Sequence, residues 1–256
     1  MSEPARVAAY LDVDGTLTTG VTLFELLRFD AAERGAEQEA ATFLRGIATM
    51  RDAGATRTER NRHYFTWWAG RSVGDVVQVG RRWFASVQAG CTGLVEGAPG
   101  DGGHGGGGGP GGAGGPGGAG GAAGRGGVLR PQVVSIVERH RRAGHVVVLV
   151  SGSFAPALAP LAEVLGGAHL LVTDPEVQEG RFTGRVAVPM IGEAKARAVA
   201  EHARREGISL PGSAAYGDDL SDAGYMGLTG HPTVVAVPGA PLAVVGGRRG
   251  WGLVTV

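Results

Sequence analysis

The sequence predicts an α/β fold, with a parallel-sheet core assembled from both ends of the chain and a helical insert after the first strand. Three observations predict it. The apolar runs after Gly127 are short and continuous, as in strands buried on both faces, and they alternate with helical segments. The stretch from Thr22 to Ala89 has helix-like periodicity and no clear strand. Between the two lies a tract, residues 97–127, that holds 20 of the chain's 48 glycines. Such a tract has few side chains to bury and a large ordering entropy, and although it contains Gly-Gly-Pro and Gly-Gly-Ala triplets it has too few of them and too little proline for collagen, so it reads as a flexible linker. The expected division is therefore a core from 1–19 and 128–256, a helical unit over 20–96, and the glycine-rich linker over 97–127.

Each element has its own signal. Arg6 to Leu11 is an apolar run that supplies the first strand. In the insert, Leu23, Phe24, Leu26 and Leu27 form one apolar face. Phe43, Leu44 and Ile47 form the next, followed by Tyr64, Phe65, Trp67 and Trp68, and then Val76, Val77, Val79 and Trp83. After the linker, Pro131 opens a helix that Gly144 stops, and a strand runs from His145 to Val150. A helix from Ala155 to Leu165 and a strand from His169 to Val172 come next. Val177 to Arg185 carries Glu179-Gly180 between extended flanks and reads as a hairpin. A helix from Glu193 to Arg205 precedes strands at Ala214 to Tyr216 and Thr233 to Val237, and His231, just before Pro232, is expected in a turn.

Composition narrows the function classes. The chain has 256 residues, 43% hydrophobic and 19% charged, which is enough apolar material for a buried core and excludes disorder of the whole. Its 24 basic and 24 acidic residues cancel, so no net field draws it to nucleic acid or an anionic membrane. Cys91 is the single cysteine, and no Cys/His cluster has zinc spacing. The first apolar run is too short for a signal peptide, and no run approaches the roughly 18 residues of a membrane span. A cytoplasmic protein is expected. Among the 24 basic residues 23 are arginine, and Lys195 is the one lysine. It is either a chance survivor in an arginine-rich chain or a site that needs a compact ammonium.

Four segments at predicted strand ends carry chemistry. The first strand runs into Asp12-Val13-Asp14-Gly15-Thr16. Ligands of open parallel sheets bind outside the carboxyl ends of the strands, so this aspartate pair faces a crevice. Their repulsion calls for a cation between them, and Mg²⁺ is the expected one. Either aspartate alone is also a plausible turn or cap residue. Ser151-Gly152-Ser153 follows another strand at the start of a helix, where a hydroxyl and backbone N–H groups suit phosphate oxygens, although serine is equally a common helix cap. Lys195 falls in the first turn of its helix. Gly217-Asp218-Asp219-Leu220-Ser221-Asp222 closes the set with three carboxylates in six residues.

Together these segments, in this order, resemble the haloacid dehalogenase superfamily of phosphohydrolases. Asp12 to Thr16 is similar to its first motif, Ser151 to Ser153 to its second, Lys195 to its third and Gly217 to Asp222 to its fourth. The helical insert resembles the C1 cap of the phosphoserine-phosphatase-like branch, subfamily IB. Gly180 to Arg185 and Gly230-His231-Pro232 are also similar to that branch. The resemblance implies a Rossmann-like core and a Mg²⁺-dependent phosphomonoester hydrolase acting on a small phosphorylated metabolite through an aspartyl-phosphate. It implies Asp12 as nucleophile, Asp14 as general acid and base, and Ser151, the Gly152 amide and Lys195 as phosphate ligands. Mg²⁺ would be held by Asp12, the Asp14 backbone carbonyl and Asp218, supported by Asp222 and Asp219. Where phosphoserine phosphatases carry a glutamate that reads the substrate amine, this chain has Val21, with Glu25 one helical turn further on.

Arg57, Arg60, Arg62 and His63 beside Trp67 and Trp68 are either a leaving-group site or the solvated face of a helix whose tryptophans are core. His140, His145, His169 and His202 show no partner pattern. Three competing readings stand beside hydrolysis. A signalling receiver domain would be about half as long and carry no cap. A non-catalytic phospholigand binder would have no use for Asp14, and a phosphotransferase differs only in the acceptor. Oligomeric state is open.

Overall fold

The structure, a computed structural model, describes residues 6–90 and 129–256. The linker prediction for 97–127 and Cys91 lie outside them. Six strands form one parallel sheet in the order β3-β2-β1-β6-β7-β8. They are β1 Ala8–Leu11, β2 Val146–Ser151, β3 His169–Val172, β6 Ala214–Gly217, β7 His231–Val235 and β8 Gly252–Val254, with β4 Val177–Gln178 and β5 Arg181–Phe182 as a separate hairpin. The central strands are buried on both faces, which explains their continuous apolar composition.

Helices α5 (Pro131–Arg142) and α6 (Ala155–Val164) cover one face of the sheet, and α7 (Glu193–Glu206), α8 (Ala223–Met226) and α9 (Pro241–Arg248) the other. The predicted helical insert is α1 Thr22–Arg34, α2 Glu37–Asp52, α3 Arg57–Phe65 and α4 Val73–Gly90, with a 3-10 turn at Thr66–Trp68. Its tryptophan and phenylalanine core is continuous with the α5/α6 face: Phe65 and Trp68 both meet Phe154 at the start of α6. At Gly80, α4 lies so close to α6 that a Cβ would sit 1.8 Å from the Pro156 carbonyl oxygen. The β4/β5 hairpin ties the insert to the core, since Gly70 donates to Phe182, Phe182 to Arg71 and Val73 to Gly180 along their backbones.

Two expectations need correction. His231 and Pro232 are not in a turn but open β7. Pro232 is tolerated because β8 first pairs opposite Thr233, so the missing N–H breaks no bond on that side. The β1 ladder starts at Ala8 rather than Arg6, which makes only an isolated bridge to Ile208. Helix α9 and strand β8 were absent from the sequence reading, because glycine-rich ends obscure their periodicity. Among the described residues, no helix is long and apolar enough to cross a membrane.

Candidate active site

All four motifs converge at the carboxyl end of the sheet. Asp12 extends β1 by one more bond, its N–H donating to the Tyr216 carbonyl of β6 at 2.9 Å, which sets it beside Gly217 and Asp218. The chain then turns tightly, with Leu17 and Thr18 both donating to the Val13 carbonyl. Gly15 is left-handed at φ +93°, and a Cβ there would lie 2.4 Å from Asp218 Oδ2, so both conformation and space demand glycine. Thr16 Oγ1 donates to Asp218 Oδ1 at 2.7 Å.

Lys195, on the first turn of α7, is only 2% exposed and bridges Asp12 Oδ1 and Asp222 Oδ1, the latter at 2.7 Å. The other Asp12 oxygen, Oδ2, is buried with no hydrogen-bond partner among the described residues. Burial pushes Asp12 up to about 6 despite Lys195, and burial with the nearby Asp12 charge pushes Asp222 up to about 6. Asp14 and Asp218 are raised as well, chiefly by burial. Lys195 shifts upward because Asp12 and Asp222 outweigh the burial that opposes its charge.

Asp12, Asp218 and Asp222 each offer an oxygen within 4.8 Å of the others'. One ammonium among four acidic groups leaves a surplus of negative charge, and Asp12 Oδ2 lacks a partner. Both features fit a small, hard divalent cation with oxygen ligands.

The remaining walls come from the β2 loop and the insert. Asp14 Oδ1 accepts from the Thr22 N–H at 2.8 Å, satisfying one of the open donors at the start of α1. Ser151 Oγ accepts from the Ser153 N–H at 3.0 Å, as a residue at a helix entrance does, and Ser151 and Gly152 line the same cavity of about 320 Å³ as Asp12 and Asp14. Asn61 of α3 donates to the Gly152 carbonyl at 2.9 Å.

Two of the anticipated roles look different in three dimensions. Asp219, expected near the metal, directs its carboxylate to Arg57 at 2.8 Å and to the Ser221 N–H at 2.9 Å, outside the Asp12, Asp218 and Asp222 group. Asp222, expected as support, is within that group and also holds Lys195. The arginine cluster divides: Arg57 and Arg60 line the cavity, Arg62 donates to the Val186 and Ala187 carbonyls, and His63 stacks on Phe43. Val21 lines the cavity, whereas the Glu25 carboxylate packs against Gly20. Asn61 escaped the sequence reading because nothing in Arg60-Asn61-Arg62 distinguishes a residue that crosses to the core.

Residues 119–226 match the family described as haloacid dehalogenase-like hydrolase. A protein named probable phosphatase from Mycobacterium tuberculosis is 35% identical over 120 residues, which are 47% of this chain and 42% of that protein, so the chain spans less than half of the curated relative's length. A crystal structure of a protein of unknown function from Bordetella pertussis Tohama I aligns over 98% of both chains with a TM-score of 0.74 at 21% identity. A substrate-bound phosphoserine phosphatase aligns over 95% of this chain and 91% of its own with a TM-score of 0.57 at 18% identity. These two structures share the fold.

Proposed function

We propose that this chain, whose residues 119–226 match the haloacid dehalogenase-like hydrolase family, is a Mg²⁺-dependent phosphomonoester hydrolase working through an aspartyl-phosphate. The observation that carries the reading is the buried Asp12 carboxylate, with one oxygen held by Lys195 and the other without a partner at the wall of the cavity. In this proposal an Asp12 oxygen attacks phosphorus while the bond to the leaving oxygen breaks, and Asp14 gives that oxygen its proton. Water then attacks phosphorus, Asp14 takes the water's proton, and the phosphate–Asp12 bond breaks to regenerate the carboxylate.

Burial suits Asp14 to this exchange by raising its proton affinity, and the Thr22 N–H fixes its direction. Ser151, the Gly152 N–H and Lys195 would hold the phosphoryl oxygens, where negative charge accumulates. Mg²⁺ would be bound by Asp12, the Asp14 backbone carbonyl and Asp218, with Asp222 beside them. When bound it supplies positive charge against which the phosphoryl group is oriented.

In our reading the core comprises 1–19 and 128–256, and the 20–96 unit acts as a cap that admits a small phosphorylated metabolite and excludes bulk water. Phosphoserine is a weaker candidate, since Val21 presents no polar group for its amine.

Phosphate release from a panel of phosphomonoesters, with Mg²⁺ or EDTA, tests the proposal in wild type and Asp12→Asn. Metal-dependent turnover that disappears in the variant is expected. Equal turnover in Asp12→Asn would overturn the covalent route, and phosphate appearing on an added alcohol instead of in solution would make the enzyme a phosphotransferase.

A further inference from the structure

Two hydrogen-bonded chains of aromatic side chains run on opposite faces of the sheet and end at one cavity remote from Asp12. On the α7 face, the Tyr10 hydroxyl meets His202 Nδ1 at 3.1 Å, and His202 Nε2 meets His169 Nδ1 at 2.9 Å. On the α5 face, the Tyr216 hydroxyl meets His140 Nε2 at 2.8 Å, and His140 Nδ1 meets His145 Nδ1 at 2.9 Å. His145 and His169 both line a cavity of about 200 Å³ at the amino-terminal ends of β2 and β3, together with Arg141, whose guanidinium lies over Gly166.

The direction of each chain follows from its tyrosine. Tyr10 and Tyr216 are buried, and among the described residues each hydroxyl is hydrogen-bonded to one histidine only. A buried phenol that accepted from its sole partner would leave its own proton unsatisfied, so it donates. A neutral imidazole that accepts at one nitrogen carries its proton on the other. Tyr10 donating to His202 Nδ1 therefore makes His202 Nε2 a donor to His169 Nδ1, and the proton of His169 sits on Nε2. By the same steps Tyr216 fixes His140 as donor to His145 Nδ1, and the proton of His145 also sits on Nε2.

We propose that this cavity is a second, oxyanion-binding site, in which the Nε2–H groups of His145 and His169 and the guanidinium of Arg141 receive a phosphate, sulfate or small carboxylate. Three donor side chains, one of them a permanent cation, line this cavity, and no carboxylate is among its lining residues. Glu206, which lies electrostatically close to His169, is already paired with Arg205 and Arg6. Both chains are anchored on the strands that carry the catalytic motifs: Tyr10 lies two residues before Asp12, and Tyr216 two before Asp218. An anion in this cavity is thus linked to β1 and β6 through the two histidine–tyrosine chains rather than by direct contact.

The test is a sodium sulfate titration of the full chain with ¹⁵N-labelled histidine, at constant ionic strength. Before sulfate is added, His145 and His169 are expected as Nε2–H tautomers. Sulfate should then shift their Nε2–H resonances saturably, and Arg141→Gln, an exposed position, should weaken the affinity about tenfold or more. His169→Ala should do the same with Asp12 untouched. Either ring found as the Nδ1–H tautomer, or resonances unmoved by sulfate, would overturn the proposal. So would unchanged affinity in Arg141→Gln. Zn²⁺ rather than sulfate shifting both rings would also overturn it, because that requires lone pairs on the cavity side.

Discussion

The Asn61 side chain donates to the Gly152 carbonyl at 2.9 Å, joining helix α3 of the insert to the loop that follows β2. A carbonyl oxygen only accepts, so the amide nitrogen must face it, and Asn61 Oδ1 is left buried without a partner among the described residues. The bond holds the insert against the residues proposed to bind phosphate.

Removing this bond is expected to loosen substrate binding more than the chemistry. Asn61→Ala should raise KM about fivefold or more with a smaller fall in kcat, and lower stability by about 1 kcal/mol. Asn61→Asp sets a carboxylate against a carbonyl and should do worse. Steady-state kinetics alongside a denaturant melt distinguish the two effects, and an unchanged KM in both variants would refute the role.

Lysine at 195 is expected to be irreplaceable by arginine. The ammonium fits between Asp12 and Asp222 with its nitrogen 5.7 Å from the centre of the Tyr225 ring, and the side chain is fully enclosed. A planar guanidinium is larger and spreads its donors over a fork. Lys195→Arg should therefore lose about 100-fold or more in kcat/KM and melt at lower temperature. Wild-type turnover in this variant would show that charge alone suffices.

Stability without metal should fall as pH rises through the site's titration. Asp12 and Asp222 are each raised from 3.8 to about 6. Between those values the folded chain binds more protons than the unfolded one, so these groups favour folding most below about pH 4 and lose that contribution as pH climbs past 6. Mg²⁺ competes with the same protons, so the rise in Tm that it produces should be larger at pH 7 than at pH 5. Melting curves with Mg²⁺ and with EDTA at both values check this, and equal shifts would contradict it.

Gly80→Ala should destabilise although alanine is the better helix former. The new methyl would sit 1.8 Å from the Pro156 carbonyl oxygen, forcing α4 off α6. A loss of about 1–3 kcal/mol is expected from overpacking, set against less than about 1 kcal/mol of propensity gain. A denaturant midpoint at or above wild type would show that the two helices separate freely.

Local chemistry made much of this molecule legible from its sequence. Strand ends carrying Asp12-Val13-Asp14, Ser151-Gly152-Ser153 and Gly217-Asp218-Asp219 announce themselves, because apolar runs that stop at acidic or hydroxyl residues follow from the geometry of a parallel sheet. The helical insert was equally visible, since its apolar residues recur with the period of a helix. Tertiary structure alone decided which polar residues meet. Arg57 turns to Asp219, Asn61 crosses to Gly152, and four histidines with no pattern between them become two chains ending on tyrosines of neighbouring strands. Those partners lie between 5 and 192 positions apart in sequence, and their pairing depends on strand order and helix placement, which periodicity does not encode.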